Sequence, residues 1–171
     1  MSESRSSSVN TRKLTLAAVF AALAYVSVVI FRLPIIPSAP FLNYDVKDVI
    51  TALGALILGP TYGALIAVVV AFLEWITISS TGVIGFIMNV LSSASFVCTA
   101  AIIYSRKKTL ANAVIGLVSG VVMMVIVMLL WNYIITPLYQ GIPREAIAKM
   151  LLPVFLPFNA LKGSLNAAFT F

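Results

Sequence analysis

Lys162 stands in an otherwise apolar segment, residues 151–171, with Asn159 three residues before it and Asn166 four after. On a helix these spacings put all three on one face. A lysine at membrane depth costs roughly 2.5–3.5 kcal/mol on insertion scales unless it finds a partner or water. A polar stripe on an apolar helix therefore faces a protein interior or a cavity. Its chemistry is recognition: the lysine offers three donors and a charge, and the asparagine both a donor and an acceptor. That set suits a ligand with carbonyl, hydroxyl or anionic groups. The plainer alternative is a lysine that reaches the interface along its own stem, alone or paired with a carboxylate. A helix starting at Pro153 puts Lys162 about 13 Å along its axis, which makes that reach awkward.

Two further amides interrupt apolar runs. Asn132 lies between Trp131 and Tyr133, and Asn89 in the run before it. Either alone reads as an interhelical hydrogen bond worth about 0.6 kcal/mol. With Asn159 and Lys162 they converge on the outer halves of the fourth, fifth and sixth helices, which favours a binding site. The stretch 41–48 adds Phe41, Leu42, Asn43 and Tyr44 as candidates to cover that site, an aromatic being able to stack on a planar ligand or close a cavity. Asp45 and Asp48 in the same stretch are expected to cap the second helix and complement its dipole. Glu74 is the one acid inside an apolar run; it reads equally as lying near the outer interface or as pairing with a basic group, and no role is assigned to it.

Several reaction types lack their residues. There is no histidine and one cysteine, Cys98, so the common zinc, redox and histidine-assisted nucleophilic sites are excluded. No phosphate-binding glycine loop is present. No carboxylate pair is expected deep in the membrane to carry protons. The chain shows no energy source, no chemistry of its own and no need of a cofactor or metal.

The elements that must position these residues follow from composition. The 171 residues are 61% hydrophobic and only 9% charged, against about 25% charged in ordinary globular domains. The fold class expected is an all-α integral membrane protein with six transmembrane helices in one compact bundle. Its helices are placed at about 11–31, 48–59, 60–78, 83–104, 110–135 and 157–171. The second is short for a full span. Pro34, Pro37 and Pro40 break the chain into a loop over 32–47, Gly59-Pro60 makes a tight turn, Pro137 ends the fifth helix, and 138–149 forms a polar loop. Residues 1–10 read as a disordered polar tail and 11–171 as one six-helix substrate-binding domain. No cleaved signal peptide is evident. The last helix reads as cut short at Phe171, because 157–171 covers only about 20 Å of a hydrocarbon core about 30 Å thick.

The net charge of +6 points to orientation and not to nucleic acid. Arg5, Arg12, Lys13, Arg106, Lys107 and Lys108 fall on one side of six spans, and Arg32, Lys47, Arg144 and Lys149 on the other. The positive-inside rule then puts the N-terminus in the cytoplasm and the 32–47 loop outside. Trp75 and Trp131 fall near the outer ends of their helices, as interfacial aromatics do. Ala17/Ala21 and Ala18/Ala22 on the first helix, like Gly116 and Gly120 on the fifth, are small pairs spaced for close helix approach, either within the domain or to a partner.

Read together, these residues resemble the substrate-binding S component of an energy-coupling factor (ECF) vitamin transporter, with a closer likeness to the riboflavin-specific type. The matching stretches cover nearly the whole chain. They are 40–48 with its Tyr44-Asp45 core, Leu58-Gly59-Pro60, Asn89 with Ala94-Ser95-Phe96, Asn132-Tyr133 with Pro137-Leu138-Tyr139, and Pro157-Phe158-Asn159 with Lys162-Gly163. The last two are the most specific. The resemblance implies that Asn132, Asn159 and Lys162 hydrogen-bond riboflavin under the first loop. It implies capture from outside, without catalysis, in a prokaryotic cell membrane. It also implies docking through Ala17, Ala18, Ala21 and Ala22 onto a transmembrane coupling subunit, with two cytoplasmic ATPases supplying energy and the S component toppling in the membrane. One departure stands at 71–78, where riboflavin-type members often carry a Lys-Asn pair in the third helix and this chain reads Phe-Leu-Glu-Trp-Ile-Thr over 72–77. The alternatives are an S component for another vitamin or heteroaromatic, a structural or assembly subunit of the membrane, and, less well supported, a membrane enzyme.

Overall fold

The structure is a computed structural model, and it describes residues 2–34, 42–79 and 81–171. Six helices follow one another: α1 (Ser2–Ile30), α2 (Lys47–Leu58), α3 (Pro60–Thr77), α4 (Gly82–Arg106), α5 (Leu110–Gln140) and α6 (Arg144–Thr170). Five are long and apolar enough to cross a membrane, with Thr11–Ile30 as the spanning part of α1. Helix α2, at 12 residues, is the exception. The helical backbone of α1 includes residues 2–10, whose serine-rich composition suggested a disordered tail.

The bundle is apolar outside as well as in. Leu14, Val29, Val118 and Val122 are each more than half exposed, as suits side chains that meet lipid. Between helices, small residues set the spacing. A Cβ on Gly116 would lie 2.7 Å from the Ala100 carbonyl oxygen, and one on Gly120 would lie 2.6 Å from that of Phe96. Glycine is therefore what lets α4 and α5 pack backbone to backbone. One core cluster joins Ala52 and Ala55 of α2 to Phe96, Val97 and Ala100 of α4 and Leu117 and Met124 of α5. A second joins Ala17, Ala21 and Ala24 of α1 to Ile66 and Val70 of α3.

Turn chemistry between α2 and α3 is as expected. Gly59 has φ +102° and Pro60 opens α3, where its missing N–H costs nothing. Three other boundaries differ from the sequence reading. Helix α5 does not end before Pro137 but carries it inside, and stops only at Gly141, which is left-handed at φ +64°. A spanning helix tolerates the one hydrogen bond so lost. The stretch read as a polar loop to residue 149 is thus split between the end of α5 and the start of α6. Helix α6 begins at Arg144, ahead of both prolines. It is α-helical over Arg144–Met150 and Leu156–Thr170, with a π-helical turn over Leu151–Phe155 that takes in Pro153. Such a turn absorbs a residue that cannot donate to the regular ladder. The last helix therefore has 27 residues, and the short length inferred from a start at Pro157 does not apply.

The expected loop at 32–47 contains a two-stranded antiparallel ribbon, β1 (Arg32–Pro34) and β2 (Asn43–Asp45). Arg32 lies across from Asp45, Leu33 from Tyr44 and Pro34 from Asn43. Arg32 also donates to the Ile78 carbonyl at 3.3 Å, which ties the ribbon to the end of α3.

Candidate functional site

Successive side chains on a strand point to opposite faces. In β2 this sends Asn43 and Asp45 to one side and Tyr44 to the other. Asn43 and Asp45, with Leu42, line a cavity under the ribbon; Tyr44 is buried away from it. The cavity encloses about 860 Å³ of non-atom space, open solvent at its mouth included. Its other walls come from Glu74 of α3, Gly85, Met88, Asn89 and Ser92 of α4, Met128, Asn132 and Thr136 of α5, and Phe158, Asn159 and Lys162 of α6. Arg32 and Thr81 complete it.

Lys162 is only 5% exposed. Its ammonium lies inside the protein, 3.0 Å from Asp45 Oδ2 and 4.0 Å from Asp48 Oδ2. Asp48 is fixed from the other side by the Ser93 hydroxyl, which donates to Oδ1 at 2.5 Å. A second buried pair lies nearby: Lys47 Nζ is 2.5 Å from Glu74 Oε1, and Asn89 Nδ2 donates to Glu74 Oε2 at 3.2 Å. Two lysines and three carboxylates, drawn from α2, α3, α6 and β2, thus form one buried cluster. Burial pushes the Asp45 carboxyl up, but the Lys162 and Lys47 ammonium groups outweigh it and hold Asp45 below its ordinary range. Burial, then the Asp45 charge, push the Tyr44 phenol up.

The amides are oriented by their own helices. Asn159 Nδ2 donates to the Phe155 carbonyl at 2.7 Å, and Asn132 Nδ2 to the Met128 carbonyl at 2.7 Å. Thr136 donates to Asn132 Oδ1 at 2.9 Å. A carbonyl can only accept, so the amide nitrogen of Asn159 turns to the helix, and its oxygen and second N–H are left for a ligand.

Six of the residues singled out in the sequence meet at this cavity: Lys162, Asn159, Asn132, Asn89, Leu42 and Asn43. Tyr44 does not, because the strand's alternation turns it away. Phe41 lies outside the described residues. Asn166 is fully buried but does not line the cavity, so the helical stripe reaches deeper than the site. Asp45 and Asp48 were expected to cap α2. Val46 holds the cap position with no side-chain hydrogen bond, and the two carboxylates serve Lys162 instead, although Asp48 does sit in the first turn. The four alanines divide: Ala17 and Ala21 are buried against α3, while Ala18 and Ala22 face outward.

Sequence reasoning missed Lys47, assigned no role to Glu74 and did not identify which carboxylates pair with Lys162. Asp45 and Asp48 share Lys162, and Glu74 pairs with Lys47. Glu74 carried a usable signal as the one acid in an apolar run. Lys47 and Asp45 carried none, being indistinguishable from solvated loop charges. Among the described residues, no group of three or more His, Cys, Asp or Glu side chains is placed to hold a metal ion.

Comparison with known proteins follows the same lines. The family model for the ECF transporter substrate-specific component matches residues 12–171. The chain is 30% identical over 160 residues to the riboflavin transporter RibU of Staphylococcus aureus, covering 90% of this chain and 83% of that one. It is 29% identical to RibU of Streptococcus thermophilus, covering 90% and 77%. It is 26% identical to the riboflavin transporter FmnP of Bacillus subtilis, covering 89% and 84%. A solved structure of the S component of a bacterial ECF transporter superposes with a TM-score of 0.80 at 29% identity, covering 93% of this chain and 90% of that one.

Proposed function

The chain belongs to the substrate-specific components of ECF transporters, and we propose that it is the riboflavin-capturing subunit of such a transporter. The observation that carries this reading is the cavity in which Lys162 and Asn159, both nearly inaccessible, meet Asn132 and Asn89 beneath the β-ribbon. Charged and amide groups at membrane depth are expensive, and the usual return for that expense is a ligand. The similarity to three riboflavin transporters supplies the ligand class.

In this reading residues 11–171 form the substrate-binding domain. Riboflavin enters between the outer halves of α4, α5 and α6 and the ribbon. The isoalloxazine ring lies against Phe158, Met88 and Met128, and its polar edge or ribityl hydroxyls meet Lys162, Asn159 and Asn132. The N-terminus lies in the cytoplasm of a prokaryotic cell, by the excess of basic residues at the ends of α1 and α4. The energy comes from elsewhere: a transmembrane coupling subunit, reached through the outward-facing Ala18 and Ala22, and two cytoplasmic ATPases. The ligand is cargo and leaves unchanged, so no catalytic residue is assigned.

The test is the absorbance spectrum of the protein purified in detergent, followed by riboflavin titration read by flavin fluorescence. Quenching that saturates at one flavin per chain supports the assignment. No bound flavin and no quenching at micromolar riboflavin would sink it, and a screen of other vitamins would follow.

A further inference from the structure

Glu74 is 3% exposed, and it still lines the cavity. Each of its oxygens has one partner, Lys47 at Oε1 and Asn89 at Oε2. A carboxylate has about four acceptor positions, so about two remain. The neighbouring amides are partly engaged as well: Asn132 Oδ1 accepts from Thr136, and the Nδ2 groups of Asn132 and Asn159 each donate once to their own helices.

We infer that Glu74 contacts the ligand directly, its carboxylate accepting a hydrogen bond from an O–H or N–H group of a neutral molecule. Lys47 pairs with this acceptor and fixes it in place, and Asn89 orients it. A packing role alone does not account for the arrangement, because a buried ion pair is commonly matched or bettered by apolar residues of similar size. The pair leaves the carboxylate at the cavity surface, open to water or a ligand donor. The same charge disfavours an anionic ligand group beside it, since Lys47 and Lys162 are already matched by Glu74 and Asp45. The residue thus selects for hydrogen-bond donors and against acceptors at its end of the site.

This inference rests on the riboflavin reading for its probes, and the experiment separates the two. Wild type and the double variant K47M/E74Q, which removes the ion pair whole, are purified in detergent, and the thermal midpoint of each is measured. Each is titrated with riboflavin and with lumiflavin, which has the same ring without the ribityl hydroxyls. The expected result is a folded double variant that binds riboflavin at least about tenfold more weakly, the order lost with one charged hydrogen bond. A loss confined to riboflavin assigns the contact to a hydroxyl, and a loss shared with lumiflavin assigns it to the ring N–H; either supports the inference. Riboflavin affinity within about threefold of wild type, in a variant that melts as a folded protein, overturns it. Should K47M/E74Q not fold, E74D, which keeps the charge against Lys47 and withdraws the oxygens by one methylene, is read by the same thresholds. Wild type that binds no flavin at all overturns the riboflavin reading, and this inference falls with it.

Discussion

The ammonium of Lys162 lies 3.0 Å from the Asp45 carboxylate, across 117 residues of chain. One partner comes from the membrane-spanning α6 and the other from the ribbon that covers the cavity. The pair is therefore both a neutralising contact and a tie between lid and floor.

Replacing either partner strands the other. In Lys162→Met, Asp45 and Asp48 lose their shared cation inside the protein. Leaving a buried charge unpaired costs about 3–5 kcal/mol. The expected outcome is loss of riboflavin binding by two or more orders of magnitude, on the order of that figure, with a lowered thermal midpoint. Asp45→Asn should weaken binding less, since Asp48 remains within 4.0 Å of the ammonium. Titration of both variants by fluorescence quenching checks the ranking.

The pH dependence has a definite sign. Asp45 is held below its ordinary value in the folded protein. Its pairing therefore contributes fully above the ordinary carboxylate pKa of about 3.9. The contribution is lost as pH falls through the lower folded value. Riboflavin affinity should be flat from about pH 5 to 8 and fall only where folded Asp45 takes a proton, below the ordinary value of about 3.9. A decline between pH 8 and 6 would contradict this, and the same titration at stepped pH measures it.

Two neighbouring alanines should behave differently. Ala17 is buried against Ile66 and Val70, so Ala17→Phe overpacks the α1–α3 contact and should destabilise by about 1–3 kcal/mol, seen as a lower thermal midpoint. Ala18 faces outward. Ala18→Trp should leave the midpoint and riboflavin binding in detergent unchanged while reducing uptake by whole cells that contain the energising subunits.

Close packing of α4 on α5 should be equally sharp. A Cβ at Gly120 meets the Phe96 carbonyl oxygen at 2.6 Å, and backbone cannot rotate out of the way as a side chain can. Gly120→Val should cost about 1–3 kcal/mol or more, whereas Leu130→Val, on the exposed face of the same helix, should fall within about 0.5 kcal/mol of wild type. Thermal unfolding in the same detergent compares them.

By itself the sequence determined the membrane class, the succession of six helices though not their bounds or that α2, read as a short span, is too short to cross, the turn at Gly59-Pro60 and the polar face of the last helix. These rest on local quantities: hydropathy over a helix length, a residue's own φ, and the 3.6-residue period. Lys162, Asn159, Asn132 and Asn89 stood out for the same reason, as polar groups in apolar runs. Only the tertiary structure decided which charges meet. Asp45 looked like a cap and serves Lys162, and Glu74 looked like an isolated acid and pairs with Lys47. Tyr44 looked like a lid and is turned away by the alternation of a two-stranded ribbon that no local pattern announced. Helix α5 runs through Pro137, and α6 through Pro153, because neighbouring helices and a π turn absorb what proline removes. Each of these outcomes depends on a partner far away in the chain. A lone charge in a sequence says that a partner must exist, because burial without one is too costly, but it does not say where that partner is.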